Sequence, residues 1–306
     1  MFVPTTSLAV IPPDADRVDI EIAPRTSAAP PRAAPNMESA GVSVRLLASL
    51  QDFRACVGLQ AEVWGAGYTD GVPASLLQVS MYVGGIVLGA FTPAGEMVGF
   101  LFGLTGVDHG EIVHWSHLLG VRDAARDLGV GRLLKETQRT LLAARGVRRM
   151  SWTFDPLVAK NAYLNLNRLG ARVVAYVPDM YGTTTSPLHF GLATDRLIVS
   201  CDTQSPPRTP EITAAEAATL PVLTLAARDG DLSMETGEPR TAFRIEVPTD
   251  IRRVIERSPA EAVAWRESVR VHLQWSLAHG YDVTGVHRDV AAGRTFYVLL
   301  RKPGET

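Results

Sequence analysis

Apolar positions recur regularly only after about residue 41. Val42 opens a short apolar strand. Ser49-Leu50-Gln51-Asp52 then predicts a helix start, with a side-chain acceptor for orphan amides and an early carboxylate. Phe53, Val57, Ala61 and Trp64 follow at helical spacing, and Pro73 suits the first turn of a second short helix. Two apolar runs, 85–91 and 97–104, flank Thr92-Pro93-Ala94-Gly95-Glu96 and predict a hairpin. A third strand over 114–121 leads into a glycine turn. The helix behind that turn is expected to hold Leu133, Leu134, Leu141 and Leu142 inward, with Lys135, Glu136 and Arg139 outward. Alternation over 149–154 puts Met150, Trp152 and Phe154 on one face. Another helix ends at Leu169-Gly170, and strands over 172–177 and 196–200 close the unit.

The flanking segments read differently. Residues 1–40 are rich in Pro, Ala and Thr and predict a flexible leader. Residues 202–240, with Pro206-Pro207 and Pro210, read as a linker between a first domain over 41–201 and a smaller unit over 241–306. In that last unit a strand over 243–247 precedes Ser258-Pro259-Ala260-Glu261, a helix cap with Pro in the first turn. Val263, Val269, Leu273 and Leu277 are expected to form the buried face of the long helix that runs to Gly280. Strands over 281–286 and 295–300 finish the chain. Helix, Gly, strand, turn, strand repeats the end of the first unit, which suggests a partial internal duplication.

Composition narrows the partners. The 306 residues are 46% hydrophobic and 20% charged, with 30 basic against 32 acidic side chains. That balance suits a globular protein with no global field to attract nucleic acid or an anionic membrane. No apolar run approaches the ~18 residues of a membrane span, and the first ten residues lack the features of a signal peptide. The expected compartment is the cytoplasm. Cys56 and Cys201 have neither metal-like nor redox-motif spacing and read as buried thiols.

Chemistry concentrates at Arg126-Asp127-Leu128-Gly129-Val130-Gly131. Amides at a helix start lack intrahelical partners and carry the positive end of the dipole, so they attract phosphate. Glycines admit left-handed torsions and close approach of a pyrophosphate, and Arg126 and Arg132 could add charge-assisted bonds. No Lys-Ser/Thr follows Gly131, against a nucleotide P-loop, and Leu134 stands where a dinucleotide fingerprint needs its third glycine. A bare glycine pair also marks many ordinary helix starts.

The stretch from Val121 to Leu134 resembles the coenzyme A segment of the GNAT acyl-CoA N-acyltransferases, a strand end followed by Q/R-x-x-G-x-G/A. Asn161-Ala162, ahead of Leu169-Gly170, resembles that family's later helix, whose Asn often contacts the coenzyme. Ser116-His117-Leu118-Leu119-Gly120-Val121, with Trp152-Thr153-Phe154-Asp155-Pro156-Leu157, looks closest to a subgroup of uncertain substrate, some of it associated with N-acylamino acid metabolism. The resemblance implies an α/β fold with a mixed, splayed sheet and helices on both faces, followed by the smaller C-terminal α/β unit. It implies that backbone groups near Leu119 and Val121 pair with pantetheine amides, while Arg126, Leu128, Gly129, Val130, Gly131, Arg132 and Asn161 hold the coenzyme. The co-substrate would be acetyl-CoA, succinyl-CoA or a similar acyl-CoA, without a metal. The acceptor would be the amine of a small molecule such as an amino acid, attacked directly. One departure stands out: the family commonly places a Tyr four residues before the Leu-Gly glycine, and here that residue is Leu166. Tyr163 and Tyr181 are the remaining candidate acids. That departure also supports an alternative, a non-catalytic acyl-CoA-binding module.

Two further groups have sharp and plain readings. Period-two alternation puts His117 on one face with Trp115 and Leu119, where it could take a proton from the attacking ammonium. It could equally be a cleft histidine bonded to backbone. His114 and His117, three apart on a strand, are expected to face opposite ways, against a metal site. Asp155 could bind the substrate amine or simply open the next loop. Arg266 and Arg270 stack one turn apart, as a carboxylate-binding patch, a solvated face, or an interface between domains or in a homodimer.

Overall fold

The computed structural model describes residues 41–182, 191–228, 231–234 and 240–302; the expected leader lies outside them. Seven strands form one sheet in the order β1-β2-β3-β4-β5-β7-β6. They are β1 (Ser43–Leu46), β2 (Ile86–Phe91), β3 (Met97–Asp108), β4 (Glu111–Val121), β5 (Arg149–Phe154), β6 (Arg172–Val177) and β7 (Arg196–Asp202). Every neighbouring pair is antiparallel except β4 and β5, which run parallel. Helices α1 (Leu50–Trp64) and α2 (Ala74–Tyr82) cover one face through Phe53, Leu59 and Leu77, packed with Phe100, Phe102 and Leu118. Helix α3 (Val130–Ala144) covers the other through Val130 and Leu134, packed with Val98 and Leu101.

Local chemistry explains the element starts. Ser49 and Asp52 form the expected capping box. Arg45 grips both oxygens of Asp52 at 2.9 and 2.8 Å, which holds that carboxyl well below the usual range. The buried stripe of α1 is Phe53, Cys56, Leu59 and Gln60. Val57 and Ala61, expected inward, are exposed, because Gln60 turns in to bond both backbone groups of Val72 at 2.7 and 3.0 Å. Burial pushes the Cys56 thiol up to about 12.

Residues 202–240 are more than a linker. They carry α5 (Ala214–Thr219), capped by Thr213 and Glu216, and a hairpin of β8 (Leu225–Arg228) and β9 (Asp231–Met234). The stretch packs closely: a Cβ on Gly170 would collide with the Arg208 backbone. The prolines suggest a spacer, but the stretch forms its own elements and packs against Gly170.

The last unit repeats the topology of the end of the first. Between β5 and β6 the chain forms α4 (Ala159–Tyr163), continued by a π-helical turn over Leu164–Arg168. Between β10 (Ala242–Val247) and β11 (Tyr281–Asp289) it forms α6 (Ile251–Arg257) and α7 (Pro259–Ala278). With β12 (Arg294–Arg301), the second sheet has the order β10-β12-β11, matching β5-β7-β6, and is antiparallel throughout. Each copy's helix ends at a left-handed glycine, Gly170 or Gly280. Each following strand then bulges at the same offset, at Val174 and at Thr284.

The two copies dock through each other's helices, α4 and the π turn against β11 and α7 against β6. Arg266 holds Asp155 with two bonds of 2.8 and 2.6 Å, and Arg270 holds the fully buried Asp195 at 2.8 and 2.6 Å. Tyr176 also donates to Asp195. Asn167 exchanges two bonds with the Val286 backbone, and Tyr297 donates to Pro156 O at 2.8 Å. The arginines of α7 are therefore neither solvated nor a substrate patch; they join the two halves. Ala262, Arg266, Val269, Leu273 and Ser276 form the buried stripe. Val263, expected in it, is 45% exposed because it sits one residue round from Ala262.

Breaking one such pair strands the other charge in the interior. Arg266→Ala is expected to cost about 3–5 kcal/mol in a denaturant titration. A cost near zero would mean that Asp155 finds water or another cation and that the pair does not hold the halves together.

Candidate functional site

The parallel pair β4–β5 is short. Val113, His114 and Trp115 pair with Arg149, Met150 and Ser151, and the ladder stops there. Ser116–Val121 and Trp152–Phe154 form the arms of a fork whose facing backbone edges are released from pairing. β3 pairs with β4 up to Val121, and β7 pairs with all of β5, so each arm stays held on its outer side.

A bulge at the base of the fork sets which side chain faces where. Phe102 pairs with Leu118 and Gly103 with Ser116, leaving His117 as the extra residue. A bulge places two consecutive side chains opposite one partner residue. His117 accordingly lies with Leu118 on the α1/α2 face, its ring edge-on to Phe102 with centroids 6.0 Å apart. Leu119 and Val121 lie on the α3 face, where a Cβ on Gly131 would meet them at 3.5 and 3.9 Å. The expected shared face of His117 and Leu119 is thus corrected, because one extra residue breaks the period of two.

The glycine turn stands at the open end of the fork. Gly129 is the N-cap of α3 in the left-handed region, φ 81°, and Asp127 is also left-handed at 68°. Val130 is buried and anchors the helix, whereas Leu128 is 49% exposed. Arg126 reaches Val121 O at 3.4 Å and pairs with Asp123 at 2.6 Å; Arg132 pairs with Glu136 at 2.7 Å. Lys160 of α4 pairs with Asp127 and ties the start of α4 to the turn; Asn161, the next residue, is exposed. Of the residues expected to hold the coenzyme, those of β4 and the α3 start thus lie together, and α4 is tethered to them through Lys160.

The residues expected to move protons are divided between two faces. On the α1/α2 side, Tyr181 lies 3.2 Å from Thr153 Oγ1 on β5, with the Arg196 guanidinium 5.1 Å from its ring centre. Tyr68, from the loop between α1 and α2, adjoins them; burial first, then Asp70 and Tyr181, raise its phenol above the ordinary value. His117 keeps solvent access, yet the surrounding protein lowers its pKa. Tyr163 is elsewhere, packed in the α3/α4 core with Arg168 5.5 Å over its ring. Asp155, a candidate amine ligand, has both oxygens taken by Arg266 and also receives the Leu157 amide at 2.8 Å. That engagement fits bracing of the fold.

Lys135 is the site residue that sequence reasoning missed. Expected to point outward, it is 5% exposed. Its Nζ donates to Ser116 Oγ at 2.8 Å and sits 4.1 Å over the Trp152 ring. Burial pulls its pKa down to about 7. Next to it, Gln138 meets His114 Nε2 at 2.9 Å and His114 Nδ1 meets Thr105 Oγ1 at 2.9 Å. Burial, then the charges of Lys135 and Arg145, pulls His114 down to about 3, so that ring is neutral and structural. A signal was available: Gly131, Lys135 and Arg139 recur at i, i+4 on the helix side below the glycine turn. Among the described residues no cluster of His, Cys, Asp and Glu could hold a metal ion. None of their helices is long and apolar enough to cross a membrane.

No family model matches the chain, and no curated protein matches it. Solved structures do show similarity. One is the ribosomal-protein-S18-alanine N-acetyltransferase of Escherichia coli, at 16% identity over 56% of this chain and 99% of that one, TM-score 0.42. Another is a GNAT family acetyltransferase of Streptococcus pneumoniae, at 16% identity over 52% and 98%, TM-score 0.43. A third is an N-acetyltransferase of Staphylococcus aureus Mu50, at 14% identity over 53% and 98%, TM-score 0.42.

Lys135 gives a measurable sign. Its folded pKa of about 7 lies below the ordinary 10.5. Between those values the unfolded chain holds a proton that the folded chain has released, so stability rises with pH, by at most ~1.4 kcal/mol per unit. Below pH 7 both states are charged and the full cost of burial is present. Lys135→Met is expected to remove this slope from unfolding free energies measured across the window. An unchanged slope would show that Lys135 titrates normally.

Proposed function

We propose that this protein transfers an acyl group from an acyl-CoA to the amine of a small molecule. The observation that carries the reading is the fork between β4 and β5 with a glycine-led helix start at its open end. The α3 amides and the left-handed Gly129 suit a pyrophosphate, and the freed β4 edge near Leu119 and Val121 suits the amides of a pantetheine arm, which otherwise lack partners. Arg126 would exchange Asp123 for phosphate oxygens, whereas Arg132 would keep Glu136 through Nε and offer its other guanidinium nitrogens to phosphate. The arm then ends near the base of the fork.

The acceptor would approach from the α1/α2 face, where His117, Thr153, Tyr181 and Tyr68 lie. Partial desolvation lowers the His117 pKa and so favours the neutral form, the one that accepts a proton from the attacking ammonium. Attack is direct, with no acyl-enzyme. A second reading, an acyl-CoA-binding module without turnover, draws on Leu166. That residue is buried at 3% exposure and offers no phenol where the resembled family commonly has one.

Calorimetry with acetyl-CoA tests the binding half. Gly129→Val forces a β-branched residue into the left-handed region, at about 1–3 kcal/mol, and is expected to abolish measurable binding in a protein that still folds. Unchanged affinity in folded Gly129→Val would sink the site. Thiol release from acetyl-CoA and succinyl-CoA against an amine panel tests the catalytic half. His117→Ala is expected to lower turnover roughly 10²–10⁴-fold with little change in affinity. Near-normal turnover would leave water or another group as the base, and binding without thiol release in the unmodified protein would favour the second reading.

A further inference from the structure

Ser116 and Trp152 are the first residues of the two fork arms beyond the last ladder pair, Trp115 with Ser151. Lys135 Nζ touches both, 2.8 Å from Ser116 Oγ and 4.1 Å from the Trp152 ring centre. The ammonium therefore sits at the base of the fork on the α3 side, across the sheet from His117. No carboxylate bonds to it among the described residues. On its own helix, Glu136 is paired with Arg132, while Arg139 donates to the carbonyls of Asp202 and Ser205. From β4, His114 is neutral. From β7, the Cys201 thiol is raised by burial and thus protonated, and Arg168 of the π turn stacks over Tyr163. A buried cation set among neutral groups and other cations is complementary to an anion that forms at the fork.

Strand geometry identifies that anion. From Val121, beside the glycine turn, back to Ser116, β4 covers about 13 Å at ~3.3 Å per residue, because with the bulge its five steps span only four of β3. An extended pantetheine arm that starts at the glycine turn is long enough to bring the sulfur of a bound coenzyme level with Ser116. We propose that Lys135, through the Ser116 hydroxyl, supplies the proton that the departing coenzyme thiolate takes up. The inference rests on the acyl-CoA reading and deepens it. As the amine nitrogen bonds to the acyl carbon, the C–S bond breaks and sulfur keeps the electron pair. Ser116 passes its hydroxyl proton to sulfur and receives one from the Lys135 ammonium. The proton lost by the amine leaves by the His117 side, and Lys135 is recharged from solvent after the thiol departs. A folded pKa near 7 lets Lys135 exist in both forms during turnover. The role also accounts for an apolar Leu166 on the neighbouring helix: the proton comes from α3 instead.

The thiol of bound coenzyme A can be titrated directly, without knowing the acceptor, through the ultraviolet absorbance of its thiolate. A thiolate beside the ammonium keeps Lys135 charged above its resting pKa of about 7, so the two titrate as a coupled pair and in the unmodified protein the thiolate is expected to form at lower pH than in free coenzyme A. In Lys135→Met the midpoint should rise by about one pH unit or more, a tenfold change, with coenzyme A affinity at pH 6 within roughly threefold by calorimetry. Ser116→Ala should move it in the same direction by less, and serves if Lys135→Met does not fold. Midpoints that stay put in variants that still bind coenzyme A would overturn the role of Lys135 while leaving the acyl-CoA reading intact. Failure of the unmodified protein to bind coenzyme A would overturn both.

Discussion

The candidate site depends on one extra residue in β4. Without a bulge at His117, period-two alternation would carry His117, Leu119 and Val121 along one face. With it, His117 turns toward α1 and α2 while Leu119 and Val121 turn toward α3. Bulges also increase strand twist, and here the bulge falls just where β4 leaves β5. The same residue that re-aims the side chains thus marks where backbone edges are released. A fork costs ladder bonds, and the freed groups must find partners elsewhere. A ligand that carries its own amides can supply such partners.

An open fork needs its arms held from outside. β4 is held by β3 and by α3. β5 has only β7 on its other side, and the C-terminal unit reinforces that side. Asp155 lies just beyond the end of β5 and Asp195 just before the start of β7, and α7 grips both with bidentate arginine bonds. Buried ion pairs of this type add less to net stability than to specifying one arrangement, since each charge has a cost unless the other is in place. The repeated half, with its matching strand order and matching bulge, seats its helix on the first copy's β6 as the first copy's helix seats on β11. The duplication supplies a brace.

Much of this was legible in the sequence, and the failures have a common cause. The glycine turn could be read because glycine and helix amphipathicity are local signals, and the strands because alternation is local as well. The repeat could be suspected because the order helix, Gly, strand, turn, strand occurs both around Leu169-Gly170 and around Gly280. What could not be read were features fixed by tertiary partners. Ser116-His117-Leu118 carries no mark of a bulge, since the mismatch belongs to its pairing with β3. Asp155 and Arg266 lie far apart along the chain, so their bond leaves no pattern in either segment. Prolines in 202–240 suggested a spacer, although the collision waiting at Gly170 shows a close-packed cover. Lys135 was assigned outward on helix polarity, but the Ser116 hydroxyl and the Trp152 ring, both from distant strands, take its ammonium inside.

That last case bears on how the fork divides its chemistry. Acyl transfer to an amine takes a proton from nitrogen and returns one to sulfur, and the two atoms leave the reaction centre in different directions. A single titratable group would have to serve both and change charge between them. On the proposed reading the sheet itself would separate the tasks. His117, whose pKa partial desolvation lowers, faces the α1/α2 side from which the acceptor would come. Lys135, a cation held at the edge of losing its proton because it is buried, faces the side covered by α3. Desolvation disfavours the charged form of both, yet with opposite use in the proposed reaction: it would leave the histidine ready to accept and the lysine ready to give. The bulge that sorts side chains between faces would then also sort the proposed base from the proposed acid.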